Sequence, residues 1–283
     1  MLSSRRSSRP QAADRLADPR ALAAEIAAAY AGKQLIAAPT NRDGGLDLVT
    51  AYAVESELKR MREQQGHRAV GVKVGFANRA MWRVLKLDTL VWAHMYDNTV
   101  RLADGNAATI AIGSMVAPKI EPEIVFKLKA PVGADADAQA ALGAVEWIAL
   151  GFEVIDSVYP EWKFTPVDFV ASYGLHAALF VGSPLPVDVS NAASLTEQLA
   201  SFTVTLQKNG VAVAQGSGKN SLKSPALCLA ELASAMSKAG EPLQAGTLIS
   251  SGTLTEAQLL SPGDAFTAVV EGIPLPPLSA TIA

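Results

Sequence analysis

The hydrophobic period of this chain changes at Ala69, and that change limits what it can fold into. Before it, residues 18–66 read as two helices. Leu22, Ile26 and Tyr30 share one side of a helix that Asp18-Pro19 starts and Gly32 ends. Asp47 opens a second, with Leu48, Ala51, Tyr52, Leu58 and Met61 near one side and Gly66 as its stop. From Ala69 the spacing is that of a strand: Val70, Val72 and Val74 point one way, Gly71, Lys73 and Gly75 the other.

After a short helical stretch at 79–87, the remainder reads mostly as strands. They fall over 119–128, 148–155, 177–181, 202–206, 211–215, 247–250 and 265–270. Asn209-Gly210 between two of these runs is a hairpin signal. Ser224-Pro225 starts one more helix, with Leu227, Leu232 and Met236 inward and Gly240 at its end, and Ser261-Pro262-Gly263-Asp264 is a turn. The fold class expected is α+β, a small helical N-terminal portion followed by a larger, mainly β domain. The boundaries expected are a flexible tail over 1–17, a helical domain carrying the Lys73 strand over 18–100, and the β domain over 101–283.

Bulk properties exclude several classes of partner. With 49% apolar residues in 283, there is ample material for a core. The net charge is −3, from 24 Lys+Arg against 27 Asp+Glu, and no basic stripe is present, so nucleic acid is not an expected partner. No run approaches the roughly 18 apolar residues of a membrane span. Cys228 is the only cysteine, so no intrachain disulfide can form, which fits a cytoplasmic setting. The opening MLSSRRSSRP is Arg- and Ser-rich; its Arg5-Arg6 pair invites a twin-arginine reading, but the next apolar stretch carries Glu25, and a flexible tail is expected instead.

Charged residues inside apolar strands mark the candidate chemistry. In Lys119-Ile120-Glu121-Pro122-Glu123-Ile124-Val125-Phe126 the strand period puts Glu121 and Glu123 on one face. Two carboxylates so placed repel each other unless a cation or proton lies between them. A solvated strand face and a metal site both satisfy this segment. Glu153 lies in the apolar run Gly151–Ile155, where a carboxylate must be paired, protonated or ligated. A salt bridge would serve it, and so would a third place in a carboxylate site for a hard ion, Mg²⁺ or Mn²⁺. Lys73 sits between Gly71 and Gly75 on one strand face, where missing side chains leave room for a ligand; a lysine snorkelling from an edge strand is the plainer reading. Of the histidines, His67 reads as exposed, and His94 and His176 lie in apolar surroundings where core histidines are common. No zinc-protease spacing, nucleophile elbow or phosphate loop is present.

The runs GVKVGFAN, KIEPEIVFKL, GFEVIDSVYPEWKF, the KNG hairpin with its following glycines, and LISSGTLT with SPGD together resemble the fumarylacetoacetate hydrolase superfamily. Within it they are most similar to the 2-oxopent-4-enoate hydratase and 4-oxalocrotonate decarboxylase branch, in order and over nearly the whole chain. The resemblance implies a mixed β-roll core, a metal held by Glu121, Glu123 and Glu153, and a catalytic role for Lys73. Asp156 and Lys163 fall on family positions near the site, and Gly252-Thr253 would line the substrate carboxylate end. There is one clear departure. After the WK pair such proteins commonly read Ala-Asp-Asn-Ala-Ser-Ser, whereas this chain has Ala171-Ser172-Tyr173-Gly174-Leu175-His176; the helix after Ser224 also lacks a tryptophan often found there. A titratable ring therefore replaces a serine, and His176 is expected to face the substrate as a second catalytic group.

What the resemblance implies for function is a metal-dependent lyase in aromatic catabolism, a homo-oligomer acting on a small 2-oxo acid or dienol acid. Hydration of 2-hydroxypenta-2,4-dienoate is favoured. Decarboxylation of a 4-oxalocrotonate-type diacid, C–C bond hydrolysis and a silent partner-binding subunit stay open. Hydration leads because a diacid calls for an added cation at its far end, and Ser172–His176 offers Leu175 and one histidine, with Lys163 the remaining source.

Overall fold

The computed structural model describes residues 17–283. The expected N-terminal tail, with Arg5-Arg6, lies outside the described residues except for Ala17. The two opening helices form where their caps predict. Helix α1 (Pro19–Ala31) begins at Asp18, whose carboxylate accepts the Arg20 N–H at 3.0 Å. Helix α2 (Leu48–Gln64) begins at Asp47, which accepts from Thr50 N at 2.7 Å. They pack together through buried Leu22, Ile26 and Ala29 on one and Ala51, Val54 and Leu58 on the other.

The chain then runs through β1 (Ala69–Gly75), α3 (Arg79–Leu85), β2 (Val91–Tyr96), β3 (Val100–Leu102), β4 (Ala107–Ile110) and β5 (Lys119–Leu128). Next come α4 (Ala138–Gly143), β6 (Val145–Ile155), α5 (Pro166–Val170), β7 (His176–Val181), β8 (Leu185–Pro186), α6 (Ala192–Ser201), β9 (Thr203–Lys208) and β10 (Val211–Ser217). The chain ends with α7 (Pro225–Lys238), β11 (Leu248–Ser250), β12 (Gln258–Leu259), β13 (Ala265–Glu271) and β14 (Leu278–Ile282). Among the described residues no helix is long and apolar enough to cross a membrane.

Among the described residues two mixed sheets result. The larger has nine strands in the order β2-β1-β11-β5-β6-β7-β3, with β12 also on β5 and β8 on β6. The smaller runs β10-β9-β13-β14-β4. Strand β1 pairs in parallel with β11, so the larger sheet takes strands from both sides of residue 100. The Asn209-Gly210 turn joins β9 to β10 with both residues at positive φ, 52° and 80°, as a two-residue hairpin of the primed type requires.

Both faces of the central strands are covered. Ile124, Phe126, Ile148, Leu150, Phe152 and Val154 enter the main core, while Met95, Val125, Ala149, Leu179 and Val181 form a separate buried cluster. By the strand period Val125 shares its face with Glu123 and Glu121. The carboxylates therefore lie on a covered face, which excludes the solvated-face reading.

Candidate functional site

Four adjacent strands bring the charged residues together. In the β5–β6 ladder Glu121 is directly opposite Glu153, and Glu123 is opposite Gly151. On the other side of β5, β11 carries Ser250 beside Val125, and Ser250 is in turn the register partner of Lys73 on β1. Carboxylate oxygens of Glu121, Glu123 and Glu153 all lie within 4.8 Å of one another. Glu123 and Glu153 are buried and Glu121 is half-buried. Like charges placed opposite each other on a sheet destabilise it unless something positive joins them.

Lys73 joins them in part. Its Nζ lies 3.0 Å from Glu153 Oε2 and donates to the Gly174 carbonyl at 3.0 Å. Burial works against the ammonium, but Glu153, Glu121 and Glu123 outweigh it and raise the Lys73 pKa, so the group stays charged. Glu153 responds in the opposite sense: burial raises its pKa, yet Lys73 and the His176 hydrogen bond hold it below the usual value. For the other two, such relief does not overcome burial. Burial pushes Glu121 up to about 7 against the pull of Lys73, and burial with Glu153 pushes Glu123 well above the carboxylate range.

The donor set fits a divalent metal ion. Three carboxylates with one ammonium leave two negative charges uncompensated, which one such ion neutralises. Glu123 Oε2 accepts from the Ser250 hydroxyl and from Gly252 N at 2.9 Å, but Glu123 Oε1 is buried with no hydrogen-bond partner. Glu153 Oε1 accepts from His176 Nδ1 at 2.9 Å, while its Oε2, though ion-paired with Lys73, receives no hydrogen bond. Buried, unsatisfied carboxylate oxygens are costly. Converging as they do, they could ligate a cation, and all-oxygen donors suit Mg²⁺ or Mn²⁺.

Glu121 and Lys73 open onto a cavity of about 1150 Å³, which Gly252 and Thr253 also line. Its walls include Ile155, Phe164, Phe169, Leu175 and Leu222, and farther lining comes from Arg79, Lys219 and Lys223. The space beside Lys73 is not where its flanking glycines suggest. A Cβ on Gly71 would meet the Leu248 carbonyl oxygen at 2.3 Å, and one on Gly75 would meet the Phe169 ring at 2.3 Å. Those glycines admit a neighbouring backbone and an aromatic ring, not a ligand. The ring of Phe169 lies 4.8 Å from Lys73 Nζ, so it also faces the cation.

Several expected site residues have other partners. Lys163 is turned outward, its side chain 75% exposed and paired with Glu161 at 2.7 Å. Asp156 is buried and accepts the N–H groups of Val116 (2.9 Å) and Ala117 (2.7 Å), fixing the segment before β5. The Gly252 N–H, expected at the substrate carboxylate, is engaged by Glu123, and the Thr253 hydroxyl donates to Thr255 O at 2.7 Å. His176 does not face the cavity. A register shift in the β6–β7 pair sets it opposite Ile155, and its ring lies against Glu153 with Nε2 at 2.9 Å from Thr99 Oγ1. The lining residues Lys219, Lys223 and Leu222 were not singled out from the sequence. Their only advance signal is the Lys-Asn-Ser-Leu-Lys-Ser-Pro run before α7, in which Leu222 and Lys223 both adopt positive φ.

Known proteins share this architecture. A 4-oxalocrotonate decarboxylase from Pseudomonas sp. (strain CF600) is 31% identical over 83% of this chain and 86% of its own length. A 2-hydroxyhexa-2,4-dienoate hydratase from Comamonas testosteroni is 30% identical over 79% of this chain and 82% of its own. Structures of 4-oxalocrotonate decarboxylase from Pseudomonas putida G7, 28% identical, superpose with TM-scores of 0.83 and 0.82 over 94% of this chain and 97% of theirs. One is complexed with magnesium and adipate, the other with calcium and acetate. Residues 83–282, which carry the three carboxylates, match the family described as fumarylacetoacetate (FAA) hydrolase C-terminal, and to that family the chain belongs.

Proposed function

We propose that this protein is a magnesium- or manganese-dependent lyase that hydrates 2-hydroxypenta-2,4-dienoate-like substrates, the enol forms of 2-oxopent-4-enoate, in aromatic catabolism. The observation that carries the reading is the convergence of Glu121, Glu123 and Glu153 with unsatisfied buried oxygens beside a charged Lys73 on a cavity. The named relatives support the same chemistry, being hydratases and decarboxylases of dienoates and related acids. The lone thiol, buried Cys228, supports a cytoplasmic setting, and Val211 and Val213, both exposed on the edge strand β10, support a homo-oligomer.

The three glutamates would hold the ion. When bound, it would supply Lewis-acid stabilisation of negative charge developing at the C2 oxygen of the substrate. Lys73 presents a fixed ammonium to the cavity, anchored on Gly174 O and Glu153. That ammonium attracts the substrate carboxylate and can deliver a proton to the dienol carbon chain, the C2 hydroxyl proton leaving to restore the ammonium as the ketone forms, after which water adds to the remaining double bond. The rings of Phe164 and Phe169 with Ile155 and Leu175 exclude bulk water from that transfer and receive the hydrocarbon chain.

Decarboxylation of a 2-oxo diacid is the second reading, and one observation favours it. Lys219 and Lys223 line the cavity with no carboxylate partner among the described residues, and Arg79 lines it paired to Glu231 at 3.4 Å. These are cations that a distal carboxylate needs, on a different segment from the one the sequence suggested. The test is an ultraviolet assay of metal-loaded protein on 2-hydroxypenta-2,4-dienoate and on a 4-oxalocrotonate-like diacid, with carbon dioxide measured in parallel. Loss of the dienoate chromophore that a chelator abolishes supports hydration. Faster carbon dioxide release from the diacid reverses the order, and turnover of neither refutes the proposal.

A further inference from the structure

We infer that His176 and Ser250 are positioning residues that each engage one carboxylate oxygen of the two buried glutamates, turn the other oxygen toward the centre, and so tune it toward a small six-coordinate cation over Ca²⁺. This rests on the metal-centre reading above and deepens it.

The two buried ligands are restrained in the same way from opposite sides. Glu153 Oε1 accepts from His176 Nδ1 at 2.9 Å, and the ring is fixed at its other nitrogen by Thr99 Oγ1, also at 2.9 Å. Thr99 Oγ1 is anchored in turn by Tyr96, accepting its N–H at 3.1 Å and lying 3.0 Å from its carbonyl oxygen. The His176 side chain is 1% exposed and Glu153 is fully buried, so neither can swing away into water. Glu123 Oε2 is held by the Ser250 hydroxyl and by Gly252 N. Glu123 Oε1 is then left with no hydrogen-bond donor among the described residues, and Glu153 Oε2 faces only the Lys73 ammonium at 3.0 Å, an ion pair that a bound cation would share. Glu121, by contrast, has no side-chain hydrogen bond or ion pair among the described residues and is half-buried on the cavity side. It is the one ligand free to adjust.

Coordination chemistry turns this restraint into selectivity. Mg²⁺ takes near-octahedral oxygens at about 2.0–2.1 Å and keeps several waters, so single oxygens from carboxylates suit it. Ca²⁺ takes about six to eight oxygens at roughly 2.3–2.6 Å and gains from carboxylates that offer both. A charge-assisted hydrogen bond to one carboxylate oxygen withholds it from the ion. Two such bonds deny Ca²⁺ two ligands it would use, and deny Mg²⁺ nothing.

The experiment is calorimetric titration of chelator-stripped protein with MgCl₂ and, separately, CaCl₂. It compares the parent with His176→Leu, which keeps bulk and removes the donor, His176→Asn, whose amide restores a donor, and Ser250→Ala. The expected result is a Ca²⁺-to-Mg²⁺ affinity ratio about tenfold higher in His176→Leu, a smaller rise in the same direction in Ser250→Ala, where Gly252 N still holds Glu123 Oε2, and a parental ratio in His176→Asn. An unchanged ratio in His176→Leu overturns the inference, as does a ratio that moves equally in the Leu and Asn variants. If His176→Leu does not fold, Ser250→Ala decides the matter, since it deletes a single oxygen. A parent that binds neither ion overturns the metal-centre reading itself; a parent that binds Mg²⁺ while no variant moves the ratio overturns only the selectivity.

Discussion

Lys73→Met removes the one fixed positive charge of the centre while keeping the bulk of its stem. Lys73 and Glu153 are 2% and 0% exposed and 3.0 Å apart. Breaking such a buried pair by deleting one partner costs about 3–5 kcal/mol, because a buried charge is left uncompensated. Unfolding entropy of roughly 2.1 cal/mol/K per residue, applied to 283 residues, converts this into a fall in Tm of about 5–8 °C for the metal-free protein. The loss is specific to that state. A bound divalent cation supplies positive charge to the same glutamates, so saturating Mg²⁺ raises the variant's Tm more than the parent's and narrows the gap. Mg²⁺ binding itself survives, whereas turnover falls by about 10²–10⁴-fold, the range for loss of a positioned proton donor. Scanning calorimetry with chelator and with excess MgCl₂, alongside the dienoate assay, measures all three quantities. A gap that does not narrow with Mg²⁺ refutes the charge-compensation argument, and near-parental turnover returns Lys73 to a structural role.

Gly174→Ala is expected to lower stability by about 2–4 kcal/mol in urea titrations, since φ there is +58° and a Cβ would meet Ala93 Cβ at 2.8 Å and Lys73 Cδ at 2.9 Å. Turnover should fall with it, because the Gly174 carbonyl anchors Lys73; a variant of parental stability would contradict the crowding described. Lys219→Met with Lys223→Met should raise KM for a diacid by about fivefold, the worth of an exposed ion pair, and leave KM for the monoacid dienoate unchanged. Equal effects on both substrates would remove these lysines from the distal end of the site. Away from the centre, His94 is buried, which opposes its charge, but Glu241 and Glu55 hydrogen-bond it and Lys59 adds only a minor opposing charge, so its pKa is pushed up to about 9. Its stabilisation is present in full below the unfolded value of about 6.5 and is lost as pH rises through about 9, on the order of 3 kcal/mol in all. His94→Gln should therefore flatten the decline of Tm between pH 6.5 and 9, and an unchanged slope would show that another group drives it.

The parts of the fold that were legible in the sequence are those set by local chemistry. Asp18-Pro19, Asp47 and Ser224-Pro225 start helices where their side chains can cap them, and β5 spans the ten residues its alternation marks. Strand β2 was not anticipated because Val91–Tyr96 is buried on both faces and so shows no alternation. Helix α6 was missed because only Leu195 and Leu199 of Ala192–Ser201 are buried, too few apolar positions to show a helical period. The centre itself was legible for a related reason: Glu121, Glu123, Glu153 and Lys73 are charges in apolar strands, and such charges demand partners. What escaped were features fixed by distant chain. Phe169 and Leu248 fill the gaps at Gly75 and Gly71, a register shift turns His176 onto Glu153, and Asp156 is engaged by Val116 and Ala117.

The parallel pairing of β1 with β11 has a kinetic consequence. It sets Lys73 beside Ser250, which in turn holds Glu123, so the centre closes only when the first strand of the chain meets one near its C-terminal end. Contacts of such long sequence separation carry a large loop-closure cost and form slowly. The hairpin-like β5–β6 pair can bring Glu121 and Glu153 together early, but those two carboxylates repel until Lys73 arrives. The ability to bind metal tightly thus belongs to the last steps of folding, and a chain lacking its final forty residues still carries Lys73 but has neither Ser250 nor the β11 strand that docks β1 beside β5.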